Sequence, residues 1–286
     1  MKGNSHITAA LLVVAVAATA CSKNNETQQS KAAEPQFSAR MTTVAMTKNT
    51  PKIVETIPEP NVKPASGSFS DGEAAYTAGK FGDAVTLFDQ YTQQKPKNPW
   101  GHYMLGLSAW KAGDLEKSEK SFNEALRLDP DHFKSLLHLS RILVDQNRYD
   151  DAVVRLTHAG ELEPNSADVQ RLLGRAFTDQ SKTDDAVAAY RRTIELDARD
   201  AWSMNNLGTL LMEKERYDEA LPVLQKAVSL RKSVPVFHNS LGMAMEHTGN
   251  LKGAASEYRT ALIVDSGFDK AKENLTRVES KTNESK

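Results

Sequence analysis

Residues 99–132 read PWGHYMLGLSAWKAGDLEKSEKSFNEALRLDPDH, and this 34-residue stretch decides the fold. It holds two runs whose apolar residues recur at helical spacing, with Gly113 between them. Glycine tolerates the left-handed conformation in which helices often end, so the stretch is typical of a helix, a tight turn and a second helix. Pro130 stops the second helix, because the residue before a proline disfavours the helical region.

The same pattern occurs in six consecutive units without an insertion or a deletion: 65–98, 99–132, 133–166, 167–200, 201–234 and 235–268. Every unit has a small residue at its eighth and twentieth positions, and we expect these residues to let the two helices approach closely. The twenty-fourth position carries a large apolar or aromatic side chain, namely Phe88, Phe122, Leu156, Tyr190, Leu224 and Tyr258. The break between the helices falls at Gly79, Gly113, Asn147, Ser181, Glu215 and Gly249. Four of these six residues are Gly or Asn, which end helices well.

This pattern resembles the tetratricopeptide repeat family, in which a large residue, Leu-Gly, Ala, an aromatic residue and Pro stand at these spacings. The resemblance implies an all-α fold, a right-handed α-solenoid of six helix-turn-helix repeats over residues 65–268. A helix pair cannot bury its apolar face alone, so stacked neighbours form a continuous core whose ends need polar caps. Residues 269–286 supply a capping helix and a polar tail. The first unit has Ser68, Asp71 and Ala75 where large residues are usual, so its first helix is expected to be short.

An export signal precedes the repeats. The apolar run from Ala9 to Ala20 is well short of the ~20 residues that a membrane-spanning helix needs, so residues 1–20 are interpreted as a signal peptide. The run ends in Ala18-Thr19-Ala20-Cys21, which resembles the bacterial lipobox; that resemblance implies cleavage before Cys21 and acylation of its sulfur. The alternative is an ordinary small-residue cleavage site with an incidental cysteine. Residues 21–64 are polar and rich in proline without periodicity, which predicts a disordered linker.

Ser22 follows the cysteine, where an Asp would favour retention in the inner membrane. By resemblance to bacterial lipoproteins, the expected location is therefore the outer membrane, facing the periplasm. A plasma-membrane lipoprotein and a soluble periplasmic protein are the alternatives.

The composition excludes several classes of function. The net charge of −1, from 36 basic and 37 acidic residues, lacks the basic footprint of a nucleic-acid-binding protein. One cysteine cannot form an intramolecular disulfide or a zinc site with several thiolates. The seven histidines form no HExxH pattern, and the chain has neither a glycine-rich phosphate loop nor a nucleophile elbow. We therefore expect no enzyme, no metal and no cofactor.

In the family, the first helices of successive units line a concave groove through their second, fifth, sixth, ninth and twelfth positions. Transferred residue by residue, this lining comprises Trp100, Tyr103, Leu107, Trp110, Lys134, His138, Arg141, Arg171, Arg175, Trp202, Asn205, Asn206, Thr209, Asn239 and Met243. Tryptophan supplies anchors, arginine a planar donor fork for carboxylates, and asparagine partners for a peptide backbone. The four cations among these residues form a basic segment in a mildly acidic array, and the alternative is that they are a solvated face.

These features predict a membrane-anchored scaffold or adaptor that binds a protein or an extended peptide in its groove, in envelope, pilus or secretion assembly. The alternative is a glycan-binding or polysaccharide-export component, because the same aromatic rings stack on sugars. The chaperone-binding version of the family uses a fixed clamp of Lys, Asn and Arg. Only fragments of that clamp occur here, such as Asn206.

Overall fold

The computed structural model describes residues 68–284, and every regular element in that range is an α-helix. The first helices of the units are α1 (Phe69–Thr77), α3 (Pro99–Ala112), α5 (Phe133–Asp145), α7 (Ala167–Asp179), α9 (Ala201–Glu213) and α11 (Pro235–His247). The second helices are α2 (Phe81–Gln94), α4 (Leu115–Leu128), α6 (Tyr149–Leu162), α8 (Thr183–Leu196), α10 (Tyr217–Leu230) and α12 (Leu251–Val264), followed by α13 (Asp269–Glu284). The expected all-α fold of tandem helix-turn-helix pairs is confirmed by these thirteen helices of the described range.

The helix α1 is shorter than the other first helices. It has nine residues, against thirteen or fourteen elsewhere, and the side chain of Ser68 caps it by accepting from the N–H of Asp71. The expected signal peptide, Cys21 and the linker lie outside the described residues, as do residues 65–67 of the first unit.

The last residue of one unit often caps the first helix of the next. A backbone N–H three residues further on donates to the side chains of Asn98, His132, Ser166 and Asp200. Each of these bonds satisfies one of the N–H groups that a helix start leaves without a partner, and is worth about 1 kcal/mol. The helix α11 has no side-chain cap and begins instead with Pro235, which lacks an N–H at that position.

All six first helices are followed by a residue with a left-handed backbone. The angle φ lies between 58° and 86° at Gly79, Gly113, Asn147, Ser181, Glu215 and Gly249. The sequence indicated this conformation only for Gly and Asn, since a side chain with a Cβ disfavours it. Beyond α9 the N–H of Arg216 donates to the carbonyl of Leu211 at 2.8 Å, which closes the helix end and reverses the chain. The turn thus imposes the left-handed conformation even on Ser181 and Glu215.

The eighth-position glycines make room for the side chain at the twenty-fourth position. A Cβ on Gly106 would lie 2.8 Å from the ring of Phe122, and one on Gly174 would lie 2.8 Å from the ring of Tyr190. The twentieth position packs at the same place, because the hydroxyl of Ser118 donates to the carbonyl of Gly106 at 2.8 Å. The small residues therefore do more than bring two helices close: they form the socket for the large side chain that closes each pair, which is a ring in four units and Leu156 or Leu224 in the other two.

The first helices form the inner layer of the stack. The helix α1 contacts α3, α3 contacts α5, α5 contacts α7, α9 contacts α11, and α11 contacts α13. In the described range the second helices pack against the first helices before and after them and lack comparable contacts with one another. The first helices therefore form one side of the stack, which is the side that the family resemblance places on the inside.

The helix α13 closes the C-terminal end of the core. Ala271 and Val278 are fully buried against the last helix pair, and Leu275 is partly buried beside them. Most of its remaining side chains are polar and exposed, which is what a terminal cap requires.

A buried carboxylate fixes this cap to α11. The guanidinium of Arg277 donates to both oxygens of Glu246 at 3.0 and 2.8 Å, and Lys281 and the Tyr258 hydroxyl donate to them at 2.9 and 3.0 Å. These hydrogen bonds, chiefly those from Arg277, lower the pKa of Glu246 from 4.5 to about 2. The cap is therefore held by an ion pair whose carboxylate side chain is only 8% exposed.

Candidate functional site

Two half-exposed tryptophans mark the inner surface of the stack. Trp100 of α3 and Trp202 of α9 both occupy the second position of their units, and they are 45% and 46% exposed. Trp100 meets Tyr103 edge to face with ring centroids 5.6 Å apart, and Trp202 meets Phe237 in the same way at 4.9 Å. A neighbouring ring thus holds each indole while much of its surface stays open to solvent.

An aromatic pocket, here called the N-terminal pocket, lies at one end of this surface. It has a volume of about 710 Å³ and is lined by Phe69, Tyr76, Tyr91, Trp100, Tyr103, Met104 and Leu107 among others. Its charged lining residues are Glu73 and Lys134. Burial, with a smaller effect of nearby Tyr76, raises the pKa of Tyr103 to about 12, so its hydroxyl stays protonated. The pocket is therefore a mostly apolar site of the size that small ligands or side chains occupy.

Sequence reasoning identified only part of this pocket. Phe69 and Tyr76 hold the fifth and twelfth positions of the first unit, so the same register identifies them once that unit is included. Tyr91 comes from the second helix α2, which the register of first helices does not reach. Its hydroxyl accepts a hydrogen bond from Asn98 at 2.8 Å, which fixes the ring at the edge of the pocket.

Lys134 and Arg141 of α5 lie over tryptophan rings. The Nζ atom of Lys134 is 5.2 Å from the ring centre of Trp100, and the Cζ atom of Arg141 is 5.8 Å from that of Trp110. Lys111 approaches the same Trp110 ring at 4.7 Å. No carboxylate of the described residues pairs with any of these three cations. The cation–π contact is worth about 0.5–1 kcal/mol at an exposed site and leaves the charge available.

Arg171 and Arg175 of α7 are paired instead. Arg171 donates to Asp200 at 3.1 Å and also to Asp168, and Arg175 donates to Asp145 at 2.7 Å. Asp200 is nearly buried and caps α9, so its pair with Arg171 ties α7 to the start of the next first helix. The basic segment expected from the sequence is thus divided: the cations of α5 have no carboxylate partner and those of α7 do.

The amide side chains are mostly used within the array. The Nδ2 atom of Asn206 donates to the hydroxyl of Tyr190 at 3.1 Å, and that of Asn274 donates to Oδ1 of Asn239 at 2.8 Å. Asn205 is 6% exposed, and its Oδ1 atom is buried without a hydrogen-bond partner in the described structure. A buried acceptor of this kind costs about 1–3 kcal/mol.

His138 packs among rings and adds no charge to the surface. Its ring lies 5.9 Å from Tyr103, 5.8 Å from Trp110 and 5.9 Å from Phe122, on which it stacks. Burial, and after it the charge of Arg141, lowers the pKa of His138 to about 4. The side chain is therefore neutral at pH 7.

His132 positions Trp100, a role that the sequence did not indicate. It caps α5 by accepting from the N–H of Ser135 through Nδ1 at 3.2 Å, which assigns the proton to Nε2. Its ring is buried and meets Trp100 edge to face at 4.7 Å. Burial lowers the pKa of His132, so this contact is between neutral groups at pH 7.

No helix within residues 68–284 is both long enough and apolar enough to cross a membrane. The same residues contain no group of three or more His, Cys, Asp or Glu side chains that are placed to hold a metal ion.

Known proteins resemble part of the repeat array. Models of the tetratricopeptide repeat match residues 109–176 and 201–234. Among curated proteins, the TPR repeat-containing thioredoxin TTL4 of Arabidopsis thaliana is 28% identical over 101 residues, which are 35% of this chain and 15% of that protein. The chain therefore spans only a small part of this relative's length.

Solved structures share the fold. The pilF structure from Pseudomonas aeruginosa aligns with a TM-score of 0.65 and 17% identity over 73% of this chain and 95% of that chain. YrrB, described as a TPR protein with an unusual peptide-binding site, aligns with a TM-score of 0.57 and 16% identity over 65% of this chain and 96% of its own. MamA of Desulfovibrio magneticus aligns with a TM-score of 0.54 and 20% identity over 57% and 93%. At such identities the likeness shows the fold alone.

Proposed function

We propose that this chain, which is a tetratricopeptide repeat protein, works as a scaffold that binds a protein or an extended peptide along its first helices. The proposal extends what tetratricopeptide domains generally do, which is to bind protein partners. YrrB, which has the same fold, is described as having a peptide-binding site. We propose no enzymatic activity for this chain.

The exposure of Trp100 and Trp202 carries the proposal. On the first helices of the described range, these two are the large apolar side chains that remain exposed. Tryptophan is enriched among the residues that dominate binding energy, because it buries a large rigid surface at little entropic cost. Two such side chains on the inner layer are therefore expected to anchor a partner that runs along it.

Replacing Trp100 and Trp202 by alanine, singly and together, tests the groove. The matched control is Val154→Ala, because Val154 is 69% exposed on the second helix α6. Partner proteins are captured by crosslinking in the native host and identified by mass spectrometry. Loss of a hot-spot tryptophan costs about 2 kcal/mol or more, so we expect crosslinks to fall at least about tenfold while the control keeps them. If the tryptophan variants retain every crosslink, the groove is not the binding site.

We further propose that the chain is anchored by lipid on Cys21 in the outer membrane, facing the periplasm, and serves in envelope, pilus or secretion assembly. The support is the signal-like run and the lipobox resemblance at the chain's single cysteine. Two or more acyl chains anchor a protein stably, at about 0.8 kcal/mol for each buried methylene group. The test is fractionation of cells that express Cys21→Ser. We expect this variant to leave the membrane fraction, and its retention there would exclude the lipid anchor.

Glycan binding is the second candidate, and the aromatic N-terminal pocket is the observation that favours it. Stacking of sugar faces on indole rings needs exposed aromatic surface of the kind that Trp100 presents. A glycan array probed with the purified chain separates the two functions, because the peptide scaffold predicts no hits. Reproducible hits that Trp100→Ala abolishes would favour the glycan.

A further inference from the structure

We infer that the N-terminal part of the groove binds an acidic peptide segment, whose apolar side chain enters the N-terminal pocket and whose carboxylates meet Lys134 and Arg141. The inference rests on the proposed peptide-binding function and names the chemistry of its partner. It confines to α5 the charged contact that the sequence had spread over α5 and α7.

The N-terminal pocket determines which kind of apolar side chain the ligand carries. Its volume of about 710 Å³ accommodates one or two large side chains, and its lining is dominated by aromatic rings. Phe69 and Tyr91 meet edge to face at 5.2 Å, and Trp100 and Tyr103 do so at 5.6 Å, so rings of the lining support one another. An aromatic or long aliphatic side chain gains apolar burial and ring contacts there.

The cations of α5 determine how the carboxylates of the ligand are spaced. Lys134 and Arg141 are seven residues apart on one face of α5, which separates them by about 10 Å along the helix. An extended peptide advances about 3.3 Å per residue, so two carboxylates about three positions apart reach both cations. Lys111, above the Trp110 ring, adds a third positive charge near Arg141. A carboxylate at either place would complete a stack of indole, cation and anion.

The cations of α7 and the acid of the pocket wall favour the same placement. Arg171 and Arg175 would have to give up Asp200 and Asp145 before they met a partner's carboxylate, so they attract one less. Glu73, exposed on α1, is the acid in the pocket lining, and it repels a carboxylate from that wall. The acidic residues of the ligand are therefore directed toward α5.

The test measures binding of labelled peptides to the purified 286-residue chain by fluorescence anisotropy. The probe is a short peptide with one phenylalanine and two glutamates about three positions apart, in a Ser/Gly background. Two altered probes carry lysines in place of the glutamates or alanine in place of the phenylalanine. The protein variants are Lys134→Gln, Arg141→Gln and the double variant. Arg175→Gln is the matched control, because it occupies the same register position as Arg141 one unit later.

We expect the double variant to bind the acidic probe about tenfold more weakly, since two charge-assisted contacts are lost, and Arg175→Gln to change affinity less than about twofold. The lysine probe should not bind, and the alanine probe should bind about tenfold more weakly than the acidic probe. Added salt should lower the affinity of the acidic probe. Circular dichroism verifies that each variant keeps its helices.

Other results overturn the inference. If Arg141→Gln and Arg175→Gln weaken binding of the acidic probe equally, the positive charge acts at a distance and not through contacts with α5. Equal binding of the acidic and lysine probes would exclude the proposed chemistry. If crosslinks to native partners still depend on Trp100 and Trp202 in that case, the scaffold function stands and the acidic specificity alone is wrong.

Discussion

Replacing Glu215 by glycine should stabilise the protein. Glu215 follows α9 with φ of 58°, and its N–H donates to the carbonyl of Met212 at 2.9 Å, as the N–H of Arg216 does to Leu211. Its exposed side chain makes no hydrogen bond or ion pair with the described residues. A glycine therefore keeps the backbone bonds, removes no contact and relieves a conformation that a Cβ disfavours.

The expected gain follows from two opposing effects. The left-handed conformation costs a residue with a Cβ about 1–2 kcal/mol, and the extra freedom of glycine in the unfolded chain costs about 0.5–1 kcal/mol. The net stabilisation is about 0.5–1 kcal/mol, which corresponds to a rise in Tm of about 2–4 °C for a gain of 1 kcal/mol in a domain of this size. Glu213 is the matched control, because it is exposed and helical only two residues earlier. Glycine there should lower stability by about 0.5–1 kcal/mol.

The assay is urea unfolding followed by far-ultraviolet circular dichroism, with Glu215→Gly, Glu213→Gly and wild type measured side by side. The two variants should shift the midpoint in opposite directions, and Ser181→Gly should reproduce the gain at the equivalent position of the preceding unit. A midpoint that falls equally in Glu215→Gly and Glu213→Gly would refute the reasoning, because it would mean that the turn does not impose a left-handed backbone.

Three further outcomes follow from the packing. Gly242→Ala should lower the free energy of unfolding by about 1–3 kcal/mol in the same assay, because its Cβ would lie 2.6 Å from the ring of Tyr258; an unchanged midpoint would contradict the socket. The pKa of Glu246 is lowered from 4.5 to about 2, chiefly by hydrogen bonds from Arg277, so its contribution is complete above pH 4.5 and is lost as the pH falls toward 2. After allowance for the half-exposed guanidinium, that contribution is about 1–2 kcal/mol, and Glu246→Gln should abolish this part of the acid dependence of the midpoint. Asn205→Leu should raise stability by about 1 kcal/mol by removing a buried acceptor without a donor, and a lower Tm would show that the amide has a structural partner.

The fold was predictable because each unit repeats the same physical requirements at the same register. Gly174 opposite Tyr190 shows this well, since a small residue and a ring separated by sixteen positions can only be partners if two helices turn back on each other. The conformation of Ser181 and Glu215 was not predictable from residue type, because both types disfavour φ near 58°. There the tertiary turn, which the neighbouring units fix, overrides the local preference.

The helices that carry the predicted groove residues followed from the register, whereas the ion pairs of those residues did not. The register placed Trp100 and Trp202 on the first helices, where the structure has them half exposed. It did not reveal that Arg175 pairs with Asp145, which lies thirty residues earlier in the sequence. Charge patterns along one helix cannot show a pair that forms between two helices of adjacent units.

Pairing within the array, rather than the number of basic residues, decides where a partner's carboxylate gains most. An arginine already bonded to Asp200 or Asp145 must exchange that carboxylate for the partner's. The net gain in binding free energy is therefore close to zero, and the displaced aspartate is left beside the partner's carboxylate. Lys134 lies over an indole, where a carboxylate adds an ion pair without displacing one. Lys134 also lines the N-terminal pocket, so an apolar side chain bound there brings a neighbouring carboxylate close to the cation. A partner with an apolar anchor and an adjacent acid therefore gains more at α5 than at α7, although each helix places two cations on the inner surface.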